Sequence, residues 1–266
     1  RYSTIGGVCL NVGCIPSKAL LHTAKVITDA EDTGSHGVTF TKPEIDIEKL
    51  RDWKSNKVVK KLTMGLSQMA KQRGVQVVEG HGQFISPNQI TVTTPDGSRK
   101  VVGFQSAIIA AGSQPTKIPG TPDDERIMDS TGALELKDIP KKLLIIGGGI
   151  IGLEMGTVYD AMGSAVSVVE LTDGLIQGCD RDIVRPLHKR MAKRFENIWL
   201  GTKVTKMDAK KEGILVYFEG VDAPKEALFD RVLVAVGRKP NGLHIGADKA
   251  GVAADTGYLH NVRPVL

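Results

Sequence analysis

Apolar residues recur at helical spacing in two segments near the start of the chain. In the first, apolar positions 20, 21, 24 and 27 follow Pro16, a residue favoured in the first turn of a helix. In the second, the same rhythm runs from Ile47 to Met69, and Gly74 follows as a typical helix end. The pattern therefore predicts helices over residues 16–30 and 46–74.

Short apolar runs separated by turn residues predict strands in the rest of the chain. The passage from 113 to 124, SQPTKIPGTPDD, is rich in proline and glycine and is interpreted as a linker. From residue 141 the pattern changes to strand, glycine turn, helix and strand, which predicts a βαβ unit opening a second domain. The other predicted strands are 75–80, 89–94, 100–104, 106–112, 213–220 and 231–237.

Composition narrows the class of protein. The 266 residues are 41% apolar, enough for one large or two medium globular domains. No apolar run approaches the roughly 18 residues that a membrane-spanning helix needs. The net charge of +5 comes from lysines and arginines interspersed with acids, so we expect neither a nucleic-acid surface nor a membrane partner. Three cysteines are too few for a secreted disulfide scaffold.

A glycine motif lies in the predicted βαβ unit. Gly147, Gly149 and Gly152 form G-x-G-x-x-G directly after the strand 143–146, and a second strand ends at Glu170. This context is typical of a dinucleotide site, where the glycines let a pyrophosphate approach the helix N-terminus. A carboxylate at Glu170 accepts a ribose 2′-hydroxyl and repels a 2′-phosphate. The motif therefore favours NAD(H) over NADP(H), the alternative being a glycine turn that binds no ligand.

Cys9 and Cys14 stand five positions apart in GGVCLNVGCIPSKALLH. Residues i and i+5 of an ideal helix have Cα atoms roughly 8.6 Å apart, whereas a disulfide needs roughly 4.4 to 6.8 Å. The pair therefore requires a distorted segment, which Gly13 permits. Lys18 follows Cys14 by four residues, and a cation at a helix N-terminus favours a thiolate. We interpret the pair as redox-active cysteines.

Three other interpretations of the cysteines remain open. They could be two unrelated buried thiols. They could be half of a zinc site, although only His22 lies nearby as a further ligand. They could be a purely structural disulfide, although so short a loop is a poor cross-link. Cys179 in IQGCDRD is predicted to be a free thiol on a loop.

The segment GGVCLNVGCIPSKALL resembles the redox-active segment of the pyridine nucleotide–disulfide oxidoreductases. GGGIIGLEMG, VVE, AIIAAGSQP and VLVAVGRKPN are similar to that family in order and spacing, so the resemblance covers essentially the whole chain. Leu10, Ile15 and Glu170 favour the branch that oxidises dihydrolipoamide with NAD⁺. The glutathione- and mercuric-reductase-like branches share C-x₄-C but usually differ at these positions.

The resemblance implies an α/β fold with two Rossmann-like (FAD/NAD(P)-binding) three-layer domains, the NAD domain being inserted into the FAD domain. The implied boundaries are 1–115 for an FAD-binding domain without its first strand, 116–258 for the NAD-binding domain, and 259–266 for the return to the first domain. We expect a fragment that lacks the N-terminal FAD fingerprint and the C-terminal interface domain with its His/Glu general base. Such a fragment is expected to be inactive alone.

The resemblance also implies site residues and no metal. Cys14 would face the flavin, and Cys9 would exchange with the lipoyl group. Lys18 would lie near the flavin and pair with Glu154. The implied FAD contacts also include Gly82, Ala111 and Gly112, and the implied NAD contacts are Gly147, Gly149, Ile150, Ile151, Gly152, Glu170, Val204 and Gly237.

The implied reaction is oxidation of protein-bound dihydrolipoamide through the Cys9–Cys14 disulfide and FAD to NAD⁺. The implied partners are the lipoyl domains of 2-oxo acid dehydrogenase complexes and, in the full-length protein, a second copy of the chain. The compartment would be a bacterial cytoplasm, or the mitochondrial matrix in a eukaryote. The alternatives are an NAD(P)H-dependent disulfide reductase and, for this chain alone, an NAD-binding module without turnover.

Overall fold

The structure is a computed structural model that describes residues 4–260. Within the described residues the chain divides into two compact units, one formed by residues 4–8, 62–114 and 238–260, the other by 9–61 and 115–237. The break after residue 114 falls in the predicted linker. The other breaks differ from the predicted boundaries, because residues 9–61 pack with 115–237 rather than with the segments before the linker. The assignment of the two domains to FAD and NAD stays a prediction.

Both predicted helical segments are confirmed. The first is a single long helix, and the second is two α-helices joined by a π-helical stretch, Trp53–Val59. It ends before Gly74, which has a φ of +65°. The α-helices are α1 (Gly7–Val12), α2 (Cys14–Asp32), α3 (Ile47–Asp52), α4 (Lys60–Gln72), α5 (Ser130–Glu135), α6 (Ile150–Ala161) and α7 (Arg181–Arg194), with 3₁₀ turns at Thr33–His36, Gly242–His244 and Ala247–Ala250.

Most predicted strands are present. Five predicted strands are confirmed, namely 89–94, 100–104, 143–146, 213–220 and 231–237. Their ends agree within one residue, except that the last strand ends at Val234, three residues early. The strands are β1 (His81–Ser86), β2 (Gln89–Thr93), β3 (Arg99–Gly103), β4 (Ser113–Pro115), β5 (Ile127–Met128), β6 (Lys142–Ile146), β7 (Ala165–Val169), β8 (Asn197–Trp199), β9 (Lys203–Ala209), β10 (Ile214–Glu219), β11 (Glu226–Phe229), β12 (Arg231–Val234), β13 (Arg238–Pro240), β14 (Ala254–Asp255) and β15 (Tyr258–Leu259).

Two strand predictions are wrong. Residues 75–80 and 106–112 have no strand assignment, although both are apolar enough to suggest one. Within residues 4–260, neither segment joins a sheet. Their side chains are correspondingly exposed, as Val77 at 58% and Ile108 at 96% illustrate. An apolar run becomes a strand only where a neighbouring strand satisfies its backbone hydrogen bonds.

The second unit is built on a five-stranded parallel sheet with the order β5-β12-β6-β7-β8. Leu143 and Ile145 of β6 belong to a core cluster that includes α2, α5, α6 and α7. The alternate residues Leu144 and Ile146 belong to a second cluster with the antiparallel sheet β9–β11. The unit therefore has a helical layer, a parallel sheet and an antiparallel sheet, which confirms the predicted α/β class.

The first unit contains the antiparallel sheet β1-β2-β3 and two short ladders, β4 with β13 and β14 with β15. A turn at Pro95–Gly97 connects β2 to β3, where Thr94 N–H donates to Ser98 O at 2.9 Å. β1 is tied to the C-terminal part of the unit by Phe84 N–H, which donates to Ile245 O at 2.8 Å. Among residues 4–260, no helix has the length and apolar character required to cross a bilayer.

Candidate functional site

The cysteine segment is a broken helix. α1 ends at Val12, α2 begins at Cys14, and Gly13 stands between them with φ −145° and ψ −117°. The regular helix that would keep the two cysteines apart is thus interrupted at the predicted glycine. Cys14 becomes the first residue of a 19-residue helix, where the unpaired N–H groups favour negative charge.

Cys9 and Cys14 are exposed free thiols close enough to interact. The interaction with the Cys14 side chain is the main cause that raises the pKa of the Cys9 thiol, and desolvation and the charge of Cys14 raise it further. The backbone N–H of Cys14 and the positive charge of Lys18 act in the opposite direction and more weakly. The net effect on Cys9 is a raised pKa. The disulfide between them stays a prediction.

Lys18 pairs with Glu154, as expected. Lys18 Nζ lies 2.5 Å from Glu154 Oε1, and the side chains are 62% and 23% exposed. Ser17, which is buried, donates its hydroxyl to Glu154 Oε2 at 2.6 Å. Both oxygens of the carboxylate on α6 are thus held by consecutive residues of the helix that begins at Cys14. The arrangement fixes one exposed ammonium group one turn beyond the thiol pair.

The glycine motif has the geometry of a dinucleotide turn. Gly147 has a φ of +109°, and a Cβ there would lie 2.5 Å from the backbone oxygen of Ala235. Gly149 is the N-cap of α6, and a Cβ at this position would meet no atom within 4 Å. A Cβ at Gly152 would lie 2.2 Å from Gly147 O, so only glycine allows the helix to pack this close. The open space at Gly149 fits the approach of a pyrophosphate.

Glu170 follows β7 and folds back onto the glycine turn. Its Oε2 accepts the Gly148 N–H at 2.7 Å. Its Oε1 accepts the backbone N–H of Thr172 at 2.9 Å and the Thr172 hydroxyl at 2.7 Å. The carboxylate at the predicted ribose position is therefore fixed by the chain itself before any nucleotide binds.

A cleft of about 880 Å³ opens beyond the carboxyl ends of the parallel strands. This is the edge where open α/β sheets bind their ligands. Gly152 is not in its lining but packs behind the turn. Cys179, a free and exposed thiol as predicted, also lines the cleft. The predicted NAD residues brought together in this lining are Gly147, Gly149, Ile150, Ile151, Glu170, Val204 and Gly237.

The three residues predicted to contact FAD besides Lys18 lie in the other unit. Gly82 is in β1, opposite Val92 of β2. The carbonyl oxygens of Ala111 and Gly112 accept hydrogen bonds from Asn241, at 3.0 Å from its side chain and 3.0 Å from its backbone N–H respectively. Their role in flavin binding stays a prediction.

Several residues of the site were not identified from the sequence. Ser17 and Gly148 stand inside the recognised motifs, and the third glycine of GGG was the available signal for Gly148. Thr172, Gln177 and Arg181 lie in the loop after Glu170, where no periodicity applies. Arg181 fixes this loop by donating to the carbonyl oxygens of Leu175, Ile176 and Cys179. In the described part of the chain, no group of His, Cys, Asp and Glu is arranged to hold a metal ion.

Dihydrolipoyl dehydrogenase of Vibrio parahaemolyticus is 56% identical to this chain over 264 residues, which cover 98% of the chain and 55% of that protein. Dihydrolipoyl dehydrogenase of Vibrio cholerae is 55% identical over 257 residues, 96% of the chain and 54% of that protein. The chain spans about half the length of the curated relatives it matches.

Among solved structures, the Cu(II) complex of the HOCl-induced flavoprotein disulfide reductase RclA from Escherichia coli is similar, with a TM-score of 0.78 and 27% identity. The match covers 95% of this chain and 53% of that chain. The pyridine nucleotide-disulphide oxidoreductase family matches residues 2–262. The thiol pair, the glycine turn and these comparisons agree, and the chain belongs to the pyridine nucleotide-disulphide oxidoreductases.

Proposed function

We propose that this chain is the redox-disulfide and NAD-binding part of a dihydrolipoyl dehydrogenase, which oxidises protein-bound dihydrolipoamide with NAD⁺. The observation that carries the proposal is the placement of two exposed thiols, Cys9 and Cys14, on either side of the break between α1 and α2. Relatives of this name match nearly the whole chain at up to 56% identity. FAD, when bound, supplies the two-electron redox chemistry between dithiol and nicotinamide.

Cys9 and Cys14 divide the thiol chemistry between them. In the oxidised protein they form a disulfide, which the dihydrolipoyl thiolate attacks at Cys9. A second exchange releases the oxidised lipoyl ring and leaves the chain with both thiols reduced. Cys14, at the helix N-terminus, is the sulfur placed to carry negative charge. Cys9, whose pKa is raised by the neighbouring Cys14, is the sulfur proposed to exchange with the lipoyl group.

Lys18 supplies a fixed positive charge. Its ammonium group is exposed but held by Glu154, whose second oxygen is bound by Ser17. A cation placed in advance stabilises negative charge that develops beside it during a reaction. This donor set fits a flavin, which becomes anionic on reduction, and Gly82, Ala111 and Gly112 are proposed as further contacts with FAD.

The cleft at the sheet edge holds NAD(H) in this proposal. Gly149 leaves room for the pyrophosphate at the N-terminus of α6, and Gly147 forms the tight turn before it. Glu170 accepts a hydrogen bond from a ribose hydroxyl. The remaining proposed contacts come from residues that line the same cleft, namely Ile150, Ile151, Val204 and Gly237.

The proposed partners follow from the substrate. They are the lipoyl domains of 2-oxo acid dehydrogenase complexes and a second copy of the full-length protein. A bacterial cytoplasm is the proposed compartment, and the mitochondrial matrix is the counterpart in a eukaryote.

The thiol pair is tested by counting free thiols under denaturing conditions before and after mild reduction. The oxidised wild-type protein should gain the Cys9 and Cys14 thiols on reduction, and Cys179→Ser should show the same gain. Cys9→Ser and Cys14→Ser should each abolish it. The protein that carries this chain, supplied with FAD, should also form NADH from dihydrolipoamide. An unchanged thiol count on reduction, or a preference for NADP⁺ in the turnover assay, would contradict the proposal.

A further inference from the structure

Most of the hydrogen-bonding capacity of the Glu170 carboxylate is used inside the chain. An ionised carboxylate offers about four acceptor positions, two on each oxygen. Both positions on Oε1 are taken by Thr172, through its backbone N–H and its hydroxyl. One position on Oε2 is taken by the Gly148 N–H. A single acceptor position therefore remains, and it lies on the oxygen next to the glycine turn.

The hydroxyl of Thr172 is itself directed toward Glu170. Gln177 Nε2 donates to Thr172 Oγ1 at 2.7 Å and to the carbonyl oxygen of Gly174 at 3.0 Å. A hydroxyl has one proton to give. The charged Oε1 at 2.7 Å is a stronger acceptor than the Gly174 carbonyl at 3.1 Å, which Gln177 already serves. The series of hydrogen bonds from Gln177 through Thr172 thus ends on the Glu170 carboxylate.

The geometry points to Thr172 as a positioning residue that makes the cleft selective for NAD(H) over NADP(H). By saturating Oε1, it leaves Oε2 as the acceptor for the ribose 2′-hydroxyl of the dinucleotide. It also holds the negative charge where a 2′-phosphate would have to lie. This inference rests on the proposed binding of NAD(H) to the cleft.

Loss of the hydrogen bond that holds the Glu170 carboxylate would weaken selection for NAD(H) over NADP(H) for a second reason. Lys203 lines the same cleft. A carboxylate that is free to rotate can turn toward such a cation, which neutralises the repulsion of a 2′-phosphate. Without the Thr172 hydroxyl, Oε1 keeps only one of its two donors, so the carboxylate becomes more mobile.

The experiment measures Kd for NADH and for NADPH by nucleotide fluorescence titration on the holoprotein. Thr172→Val removes the hydroxyl and keeps the shape, and Thr172→Ser restores a hydroxyl. Thr23→Val is the matched control, because Thr23 lies in α2 and, among residues 4–260, its hydroxyl bonds the Ala19 carbonyl of its own helix and no other group. Glu170→Gln tests the carboxylate itself, and a thermal melt of each variant confirms folding.

Thr172→Val should reduce the ratio of the NADPH Kd to the NADH Kd by about tenfold, the lower end of what one hydrogen bond to a charged group contributes. Thr172→Ser and Thr23→Val should keep the wild-type ratio. An unchanged ratio in Thr172→Val, with a reduced ratio in Glu170→Gln, would overturn the role of Thr172 and leave NAD(H) binding intact. Failure of the wild-type protein to bind NADH would instead refute the proposed function of the cleft.

Discussion

At Glu154, two donors from consecutive residues of one helix meet a single carboxylate. The Ser17 hydroxyl is buried and 2.6 Å from Oε2, whereas Lys18 is largely exposed. Removal of Ser17 leaves a partly buried acceptor with one donor fewer. We expect Ser17→Ala to lower the free energy of unfolding by about 1 kcal/mol, measured by urea denaturation. Ser55→Ala is the control, because Ser55 is an exposed serine in a helical segment. Equal stability of the two variants would contradict a contribution from the Ser17 hydroxyl.

The interaction between the two thiols leads to a prediction about the pH dependence of Cys9 alkylation. Its contact with Cys14 raises the pKa of the Cys9 thiol, while the Cys14 backbone N–H and Lys18 lower it. Cys14→Ala removes the raising contact and keeps the lowering ones. In the reduced variant, alkylation of Cys9 should therefore begin at a lower pH than in the reduced wild-type protein, measured by mass spectrometry across a pH series. Cys179 is the internal reference, and its profile should be the same in both proteins. A Cys9 profile that does not move would argue against the thiol contact.

At the scale of elements, the packing of α6 against the glycine turn depends on two glycines in different ways. A Cβ at Gly152 would lie 2.2 Å from a backbone oxygen, whereas one at Gly149 would meet no atom within 4 Å. Gly152→Ala should lower the free energy of unfolding by about 2 kcal/mol, since the helix must move away. Gly149→Ala should unfold at the wild-type denaturant concentration but weaken NADH binding, because its methyl projects toward the cleft. If Gly152→Ala lost no more stability than Gly149→Ala, the turn would have relaxed to accommodate the added methyl group.

Elements of the second unit were predictable because local pattern and sheet partners agree. Residues 143–146 alternate between the two core clusters, and β7 and β12 pair with β6 on either side. Residues 106–112 are as apolar but form no strand, because an apolar run in the sequence does not report whether a neighbouring strand is present to pair with it. The π-helical stretch Trp53–Val59 is likewise not specified by the helical spacing of the apolar residues.

The residues of the candidate site also fall into those that the sequence predicts and those that it does not. The glycine turn, Glu170 and the Lys18–Glu154 pair were predictable, because fixed spacing or a resembling motif carries them. The network of Thr172 and Gln177 was not, because it depends on the path of a loop. That loop includes Ile176 at a φ of +45°, a conformation that its sequence does not specify. Side-chain hydrogen bonds across such a loop depend on its backbone path, which the spacing of residues does not encode.

At the scale of the whole molecule, acid stability depends on carboxylates that are paired in the folded state. Asp124 is one of them. The Arg126 side chain donates to both of its oxygens, at 2.9 and 2.8 Å, and also to the carbonyl oxygen of Lys210 in the turn between β9 and β10. The side-chain hydrogen bond from Arg126, followed by its backbone N–H, lowers the pKa of Asp124 from 3.8 to about 2. The folded state thus binds this proton more weakly than the unfolded chain does.

The sign of the resulting pH dependence follows from linkage. The stabilisation by Asp124 is fully present above pH 3.8 and is lost as the pH falls toward about 2. Asp124→Asn removes the charge and keeps the shape. It should lower the free energy of unfolding at pH 7 by about 1 kcal/mol, the upper end for a partly exposed ion pair. Between pH 4 and 2 the variant should converge on the wild-type protein, measured by urea denaturation at each pH. Asp222→Asn, at an exposed loop position, should follow the wild-type curve throughout. A deficit in Asp124→Asn that stays constant down to pH 2 would show that shape, and not charge, is what Asp124 contributes.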